Sequence, residues 1–150
     1  MILETAIAHY LVLDDDPVEA ALRQLNVNQS RTVFVVAHDG TLIGSLTDGD
    51  FRRWILESTG NTLASSCGEV ANKSCQFLRR ENLSENVDNL FSSKILLLPI
   101  VDERLRVVAV GRPRSSAFTI NGTQLSEIDP VFVIAEIGIN HNGNLETAKQ

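Results

Sequence analysis

Apolar residues follow two different periods in the first part of the chain. Between residues 18 and 25 they recur at helical spacing, directly after the turn sequence DDDP, which predicts an amphipathic helix. The dense β-branched run TVFVV (32–36), the turn HDG (38–40) and the run TLIGSL (41–46) predict a β-hairpin. A second helix is predicted to begin at TDGD, with its apolar residues on one side.

The same order of elements recurs further along the chain. SENVDNLF (84–91) predicts a helix, KILLLPIV (94–101) a strand buried on both faces, and RVVAV (106–110) a return strand. Asp39 and Asp102 are predicted to close equivalent strands, which sets the two copies 63 residues apart. Each helix–strand–turn–strand copy is too small to bury its own sheet. We therefore expect the copies to pack face to face with pseudo-two-fold symmetry, with a crevice between them.

The pattern changes after the second copy. RPRSS (112–116) is typical of a linker, and FTINGTQL (118–125) predicts a hairpin with Asn121-Gly122 in its turn. VFVIAEI (131–137) predicts one more strand, and a helix is predicted to open at about Asn144. One strand and half a helix do not make a domain. We expect this part to be the start of a second domain that continues beyond the chain.

Composition and charge exclude several classes of function. The net charge of −6 and the pI of about 5.0 argue against nucleic-acid binding and against binding to an anionic membrane. No apolar run approaches the roughly 20 residues of a membrane helix, and the N-terminus lacks the basic region of a signal peptide. The two cysteines, Cys67 and Cys75, predict reduced thiols in a cytoplasmic protein. No metal site is predicted, and His9 and His38 show no pattern that indicates a partner.

The stretch GSLTDGDFRR (44–53) is the strongest candidate for chemistry. Thr47 and Asp50 have the spacing of a capping box, an arrangement worth about 1 kcal/mol that needs no ligand. The alternative is a site for a polyhydroxylated, phosphorylated molecule, since a carboxylate can accept both hydroxyls of a vicinal diol and a helix N-terminus attracts phosphate. The residues alone leave both interpretations open.

The doubled unit, with TDGD-F-R-R closing its first copy and LPIVD in its second, resembles a tandem pair of cystathionine-β-synthase (CBS) domains. The resemblance implies an α+β fold with one CBS motif in residues 1–58 and another in 59–115. It also implies a regulatory module that binds AMP, ADP or ATP and forms a homodimer. By the same resemblance, the nucleotide-binding residues are Gly44, Thr47, Asp48, Asp50 and Arg53. The alternative function is a scaffold for oligomerisation or interaction that binds no ligand.

The second copy lacks the residues that make this site. Arg112 stands at the position of Thr47, Ser115 at that of Asp50, and Ala109 replaces Gly44. We therefore expect at most one nucleotide site, in the first copy.

Residues 116–150 carry a second resemblance. The string FVIAEIGINHNGNLETAKQ is similar to the N-terminal strand and first loop of the sialic acid synthase family. Members of that family are transferases of N-acetylneuraminate biosynthesis, which condense phosphoenolpyruvate with an N-acylated aminosugar on a metal-dependent TIM barrel. The resemblance implies a barrel fragment, namely a leading hairpin and the first strand, with Glu136 and Asn140 as catalytic candidates in a complete barrel. The divalent metal would belong to the part of the barrel that this chain lacks, so we expect no catalysis by the chain itself.

Overall fold

The chain divides into two structural units. The structure is a computed structural model and describes residues 1–28, 30–57, 60, 62–83, 85–92, 95–113, 118–120, 123–125 and 146. Unit one is Met1–Arg114 and unit two is Ser115–Gln150. In chain order, the helices and strands of unit one are β1 (Ile2–Glu4), β2 (Leu11–Leu13), α1 (Val18–Asn28), β3 (Thr32–Val36), β4 (Leu42–Thr47), α2 (Asp48–Glu57), α3 (Cys67–Val70), β5 (Leu78–Arg79), β6 (Leu98–Val101) and β7 (Val107–Arg112).

The strands form two sheets of the same design. In the first sheet β2 runs parallel to β3, and β3 runs antiparallel to β4. In the second, β5 runs parallel to β6, and β6 runs antiparallel to β7. This shared topology confirms the internal repeat predicted from the sequence. The second sheet has an additional edge strand, because β1 pairs with β7.

The predicted spacing of the copies is wrong by two residues. The register shifts between Val35 and Val36 in the first hairpin and between Ile100 and Val101 in the second, so equivalent residues are 65 positions apart. Asp102 is therefore the counterpart of Ala37 and not of Asp39. The two turns are equally long, and the aspartates mislead because they stand at different positions within them.

The two hairpin turns meet in a symmetric pair of hydrogen bonds. The Leu42 N–H donates to the Leu105 carbonyl at 2.9 Å, and the Val107 N–H donates to the Gly40 carbonyl at 3.0 Å. Because Leu42 is equivalent to Val107 and Gly40 to Leu105, each bond is the counterpart of the other. Gly40 and Leu105 also share a left-handed backbone, with φ of 87° and 61°. A pseudo-two-fold axis thus passes between the two turns.

The central strand of the first sheet is buried on both faces. Val33 and Val35 lie in one apolar cluster with Val18 and Leu25 of α1. Phe34, on the opposite face, lies in a cluster with Leu97 and Val110 of the second copy. Burial of each such side chain is worth about 1.5–3 kcal/mol, so β3 joins the helical layer to the interface between the copies.

Two predicted elements of the second copy are shorter in the structure. The helix predicted at 84–91 is a 3-10 helix, Glu85–Leu90, and its last residue, Leu90, is 38% exposed. The strand predicted at 94–101 is confined to Leu98–Val101. The pairing with β7 starts only at Leu98 opposite Gly111; of the preceding apolar residues Leu97 is buried, whereas Leu96 is 47% exposed.

Unit two contributes one described element. Strand β8 (Phe118–Ile120) pairs antiparallel with β9 (Thr123–Leu125), which confirms the predicted hairpin. The turn residues Asn121 and Gly122 and the strand predicted at 131–137 lie outside the described residues, and Glu146 alone is described in the predicted helix. The barrel fragment therefore stays a prediction.

Candidate functional site

The end of β4 and the start of α2 form the predicted capping box. The Thr47 N–H and hydroxyl both donate to Oδ2 of Asp50, at 2.9 and 2.6 Å, and the Asp50 N–H donates to Oγ1 of Thr47 at 3.2 Å. These bonds satisfy backbone donors that the first turn of a helix otherwise leaves without partners. The arrangement fixes the Asp50 carboxylate at the N-terminus of a ten-residue helix.

Arg53 forms an ion pair with the same carboxylate. Its guanidinium donates to Oδ1 of Asp50, one turn earlier on α2. The Asp50 side chain is only 12% exposed, whereas that of Arg53 is 67% exposed. Asp50 is thus held on one side by the helix start and on the other by a side chain that reaches in from solvent.

A cleft of about 780 Å³ opens in front of this group. Its lining comes from four segments, which lie between residues 30 and 34, 45 and 53, 72 and 76, and 95 and 97. The last two of these lie within residues 59–115, the predicted second copy, so the cleft lies where the copies meet, as the sequence predicts. Its volume is in the range of small-molecule sites, about 300–1,000 Å³.

Three guanidinium groups and two carboxylates line the cleft. Arg31, Arg52 and Arg53 supply the positive charges, and Asp48 and Asp50 the negative ones. Arg53 is paired with Asp50, whereas Arg31 and Arg52 form no ion pair with any described residue. The cleft therefore has an uncompensated positive charge near a helix N-terminus, a combination that favours an anion.

Phe34, Ser45 and Cys75 form the inner wall of the cleft, together with Leu97. Phe34 and Leu97 are buried, so this end is apolar. Burial raises the pKa of the Cys75 thiol, and a hydrogen bond with Ser45 opposes the shift. The cleft thus combines an apolar end with a charged end.

Gly44 does not line the cleft. A Cβ atom on it would lie 2.6 Å from the Asn72 carbonyl oxygen and 3.2 Å from Cβ of Ala71. The close approach allows Ser45 and Asn72 to exchange two backbone hydrogen bonds, of 3.1 and 2.7 Å. The structure therefore gives a packing reason for this glycine.

Of the predicted site residues, Thr47, Asp48, Asp50 and Arg53 lie together in the cleft wall, and Gly44 lies behind it. Glu136 and Asn140 lie outside the described residues. The sequence does not predict that Asn72, Ser74 and Cys75 line the cleft. They lie in an irregular connection, where the apolar residues follow neither the helical nor the strand period.

The second copy has no equivalent of the capping box among its described residues. Arg112 occupies the position of Thr47, as the shared register of the two hairpins confirms, and it is exposed at the end of β7. Ser115, at the position of Asp50, lies outside the described residues.

Both histidines named in the sequence analysis have partners, contrary to expectation. His9 lies 3.3 Å from Glu4, and His38 Nε2 lies 2.9 Å from Oδ2 of Asp15. The hydrogen bond with Asp15 raises the pKa of His38, and the same bond lowers the pKa of Asp15. Asp14 lies beside them, and the ligand atoms of Asp14, Asp15 and His38 are all within 4.8 Å of one another. The ion pair joins two of these three residues, Asp15 and His38.

The described residues contain no helix that is long and apolar enough to span a membrane. Cys67 and Cys75 are free thiols, as predicted, and burial raises the pKa of Cys67 to about 11.

Comparison with known proteins identifies the fold. Residues 8–57 match the family model of the CBS domain. No curated protein matches the sequence significantly. A CBS domain protein from Streptococcus pneumoniae aligns over 75% of this chain and 75% of its own, with a TM-score of 0.63 and 15% identity.

Two further similar structures were solved with nucleotides. CBSX2 in complex with AMP aligns over 68% of this chain and 79% of its own, with a TM-score of 0.54 and 20% identity. The cytosolic domain of the Mg²⁺ channel MgtE in complex with ATP aligns over 69% of this chain and 42% of its own, with a TM-score of 0.54 and 24% identity. Met1–Arg114 therefore has the mixed α+β fold of a CBS-domain pair, and residues 8–57 are the copy that the family model matches.

Proposed function

We propose that the cleft binds an adenine nucleotide and that the module regulates an attached enzyme. The observation that carries the proposal is the position of Asp50, a nearly buried carboxylate fixed at a helix N-terminus and facing a cleft of ligand size. Asp50 suits the ribose diol, and the helix start with Thr47 and Arg53 suits the phosphate end, while Asp48 lines the same cleft. The apolar wall with Phe34 suits the base. Gly44 supports the site from behind by admitting the Asn72 backbone.

The solved relatives support this choice of ligand. CBSX2 was crystallised with AMP and the MgtE cytosolic domain with ATP. The excess positive charge of the cleft supports a phosphorylated ligand independently of these relatives. AMP, ADP and ATP are therefore the ligands to test.

Calorimetric titration with AMP, ADP and ATP tests the proposal. We expect saturable binding to the chain and its loss in Asp50→Ala. Asp39→Ala is a matched control, because Asp39 also accepts a backbone N–H, from Thr41 at 2.9 Å, but lies in the hairpin turn away from the cleft. The control variant should bind as tightly as the unmodified chain. Absence of heat with all three nucleotides, from folded protein, would refute the proposal.

The proposed target of regulation is a sialic acid synthase-like enzyme that continues from residues 116–150. Its support is the AEIGINHNG string and the β8–β9 hairpin, which is the leading element that the resemblance implies. A nucleotide that binds one arrangement of the two copies better than another would shift the equilibrium between them, and with it the attached barrel. Incubation of the chain with phosphoenolpyruvate, N-acetylmannosamine and a divalent metal should give no product. Product formation would show that the chain itself holds catalytic groups.

The alternative function is a scaffold for a homodimer that binds no ligand. Two observations favour it: the capping box is complete without a ligand, and large apolar side chains are exposed on the helices, including Val27 at 69% and Leu56 at 85%. Sedimentation velocity over a range of concentrations separates the two functions. A dimer that forms at micromolar concentration and releases no heat with nucleotides would establish the scaffold.

A further inference from the structure

Asp50 has few acceptor positions left in the ligand-free cleft. An ionised carboxylate offers about four, two on each oxygen. Oδ2 accepts two hydrogen bonds from Thr47, and Oδ1 accepts one from Arg53. With these described partners in place, about one position remains.

A ribose needs more than that, because its vicinal hydroxyls donate two hydrogen bonds. The Thr47 donors are fixed, since they are part of the strand end and the helix start. Arg53 is different: its side chain is largely exposed and reaches Asp50 from solvent. Arg53 is therefore the partner that a ribose can displace, and its departure frees both positions on Oδ1.

We propose that Arg53 occupies the ribose position of the empty cleft and moves to the phosphate when a nucleotide binds. This inference rests on the proposed function and makes Arg53 the residue that selects nucleotides over nucleosides. A nucleoside must break the Arg53–Asp50 pair and offers no anion in return. A nucleotide supplies a phosphate, with which the guanidinium forms charge-assisted hydrogen bonds.

The distance along the chain fits this exchange. Asp50 and Arg53 are three residues apart on α2 and line the same cleft, so the guanidinium can turn towards the helix N-terminus without movement of the backbone. The capping bonds of Thr47 and Asp50 do not involve Arg53 and remain intact.

Affinities for adenosine and AMP test the inference. They can be measured in the millimolar range from the amide resonances of Thr47 and Asp50 in ¹⁵N NMR spectra of the chain. In Arg53→Ala we expect adenosine to bind about two- to five-fold tighter, because an exposed ion pair no longer competes. AMP should bind about ten-fold weaker, because a charge-assisted phosphate contact is lost. Arg53→Gln should shift both affinities in the same directions, and it replaces Arg53→Ala in the test if the alanine variant does not fold.

Arg23→Ala is the matched control. Arg23 forms an exposed ion pair with Glu19 on α1, at 2.7 Å, outside the cleft. Its removal should leave both affinities unchanged. Adenosine affinity that is unchanged or lower in both Arg53 variants, while AMP still binds the unmodified chain, would overturn the inference and leave the nucleotide site standing. Failure of the folded, unmodified chain to bind either molecule would overturn both.

Discussion

Gly44 is the position at which the structure makes its sharpest prediction about stability. In Gly44→Ala the new methyl group would lie 2.6 Å from the Asn72 carbonyl oxygen and 2.9 Å from its carbon. Ordinary contacts begin at 3.4 Å. Both neighbouring atoms belong to the backbone, so no flexible side chain can move aside. Either β4 or the segment around Asn72 must shift.

The magnitude follows from what the shift disrupts. Ser45 and Asn72 exchange two backbone hydrogen bonds at this contact, and each such bond contributes about 0.5–1.5 kcal/mol to stability. Overpacking of a well-packed site costs about 1–3 kcal/mol when the surroundings must move. Because the shift relieves part of the clash by weakening the same bonds, the two costs overlap. We expect Gly44→Ala to lower the free energy of unfolding by about 2–4 kcal/mol.

Urea denaturation followed by circular dichroism measures this change. With a slope of about 2 kcal/mol/M, the midpoint should fall by about 1–2 M. Gly49→Ala is the matched control, because a Cβ there meets its nearest neighbours at 3.5 and 3.6 Å and the residue lies in α2. This control should raise the free energy of unfolding by up to about 1 kcal/mol, since alanine is favoured over glycine in a helix.

The outcome also separates two reasons for the glycine. If Gly44 served only to admit a base to the strand, Gly44→Ala would lose nucleotide affinity at an unchanged urea midpoint. That result would refute the packing argument and would require the Asn72 backbone to lie elsewhere.

Two further predictions follow from titratable groups. The His38–Asp15 pair stabilises the fold fully between pH 3.8, the ordinary pKa of Asp15, and pH 6.5, the ordinary pKa of His38. This stabilisation is lost as the pH falls through the lowered pKa of Asp15. It is also lost as the pH rises through the raised pKa of His38. An NMR titration of the His38 ring should show the raised pKa and its return towards 6.5 in Asp15→Asn; an unchanged value in the variant would contradict the ion pair. Iodoacetamide should modify half-buried Cys75 before fully buried Cys67, and AMP should slow the reaction at Cys75; equal rates, measured by mass spectrometry, would contradict the described cleft.

The parts of the fold that the sequence predicts are those with a local cause. The helical spacing of Val18, Ala21 and Leu25 and the β-branched run of β3 both appear as predicted, because each pattern matches one element and one buried face. Thr47 and Asp50 form the predicted capping box because both partners lie within one helical turn.

The parts that were missed depend on contacts between distant residues. Nothing local in Ile2–Glu4 indicates that this segment pairs with β7. Residues 95–101 are all apolar, yet they form a strand only where β7 lies opposite, from Leu98 onwards. The sequence does not predict the ion pair between Arg53 and Asp50 either, because an arginine one turn along a helix more often lies on a solvated face. An apolar sequence pattern does not set the limits of a strand, because those limits depend on pairing with a neighbouring strand.

The pairing of β1 with β7 brings the two ends of the CBS-domain pair side by side. Ile2 lies directly opposite Arg112, so the backbone enters and leaves unit one at neighbouring points, about 5 Å apart. A module built this way can be inserted into a surface loop of another protein without separating the flanking residues, since closing so short a gap costs little entropy. Because β1 and β7 belong to the same sheet, a rearrangement of that sheet would move Ile2 and Arg112 together. Segments joined to both ends of a module of this kind would therefore experience one common displacement.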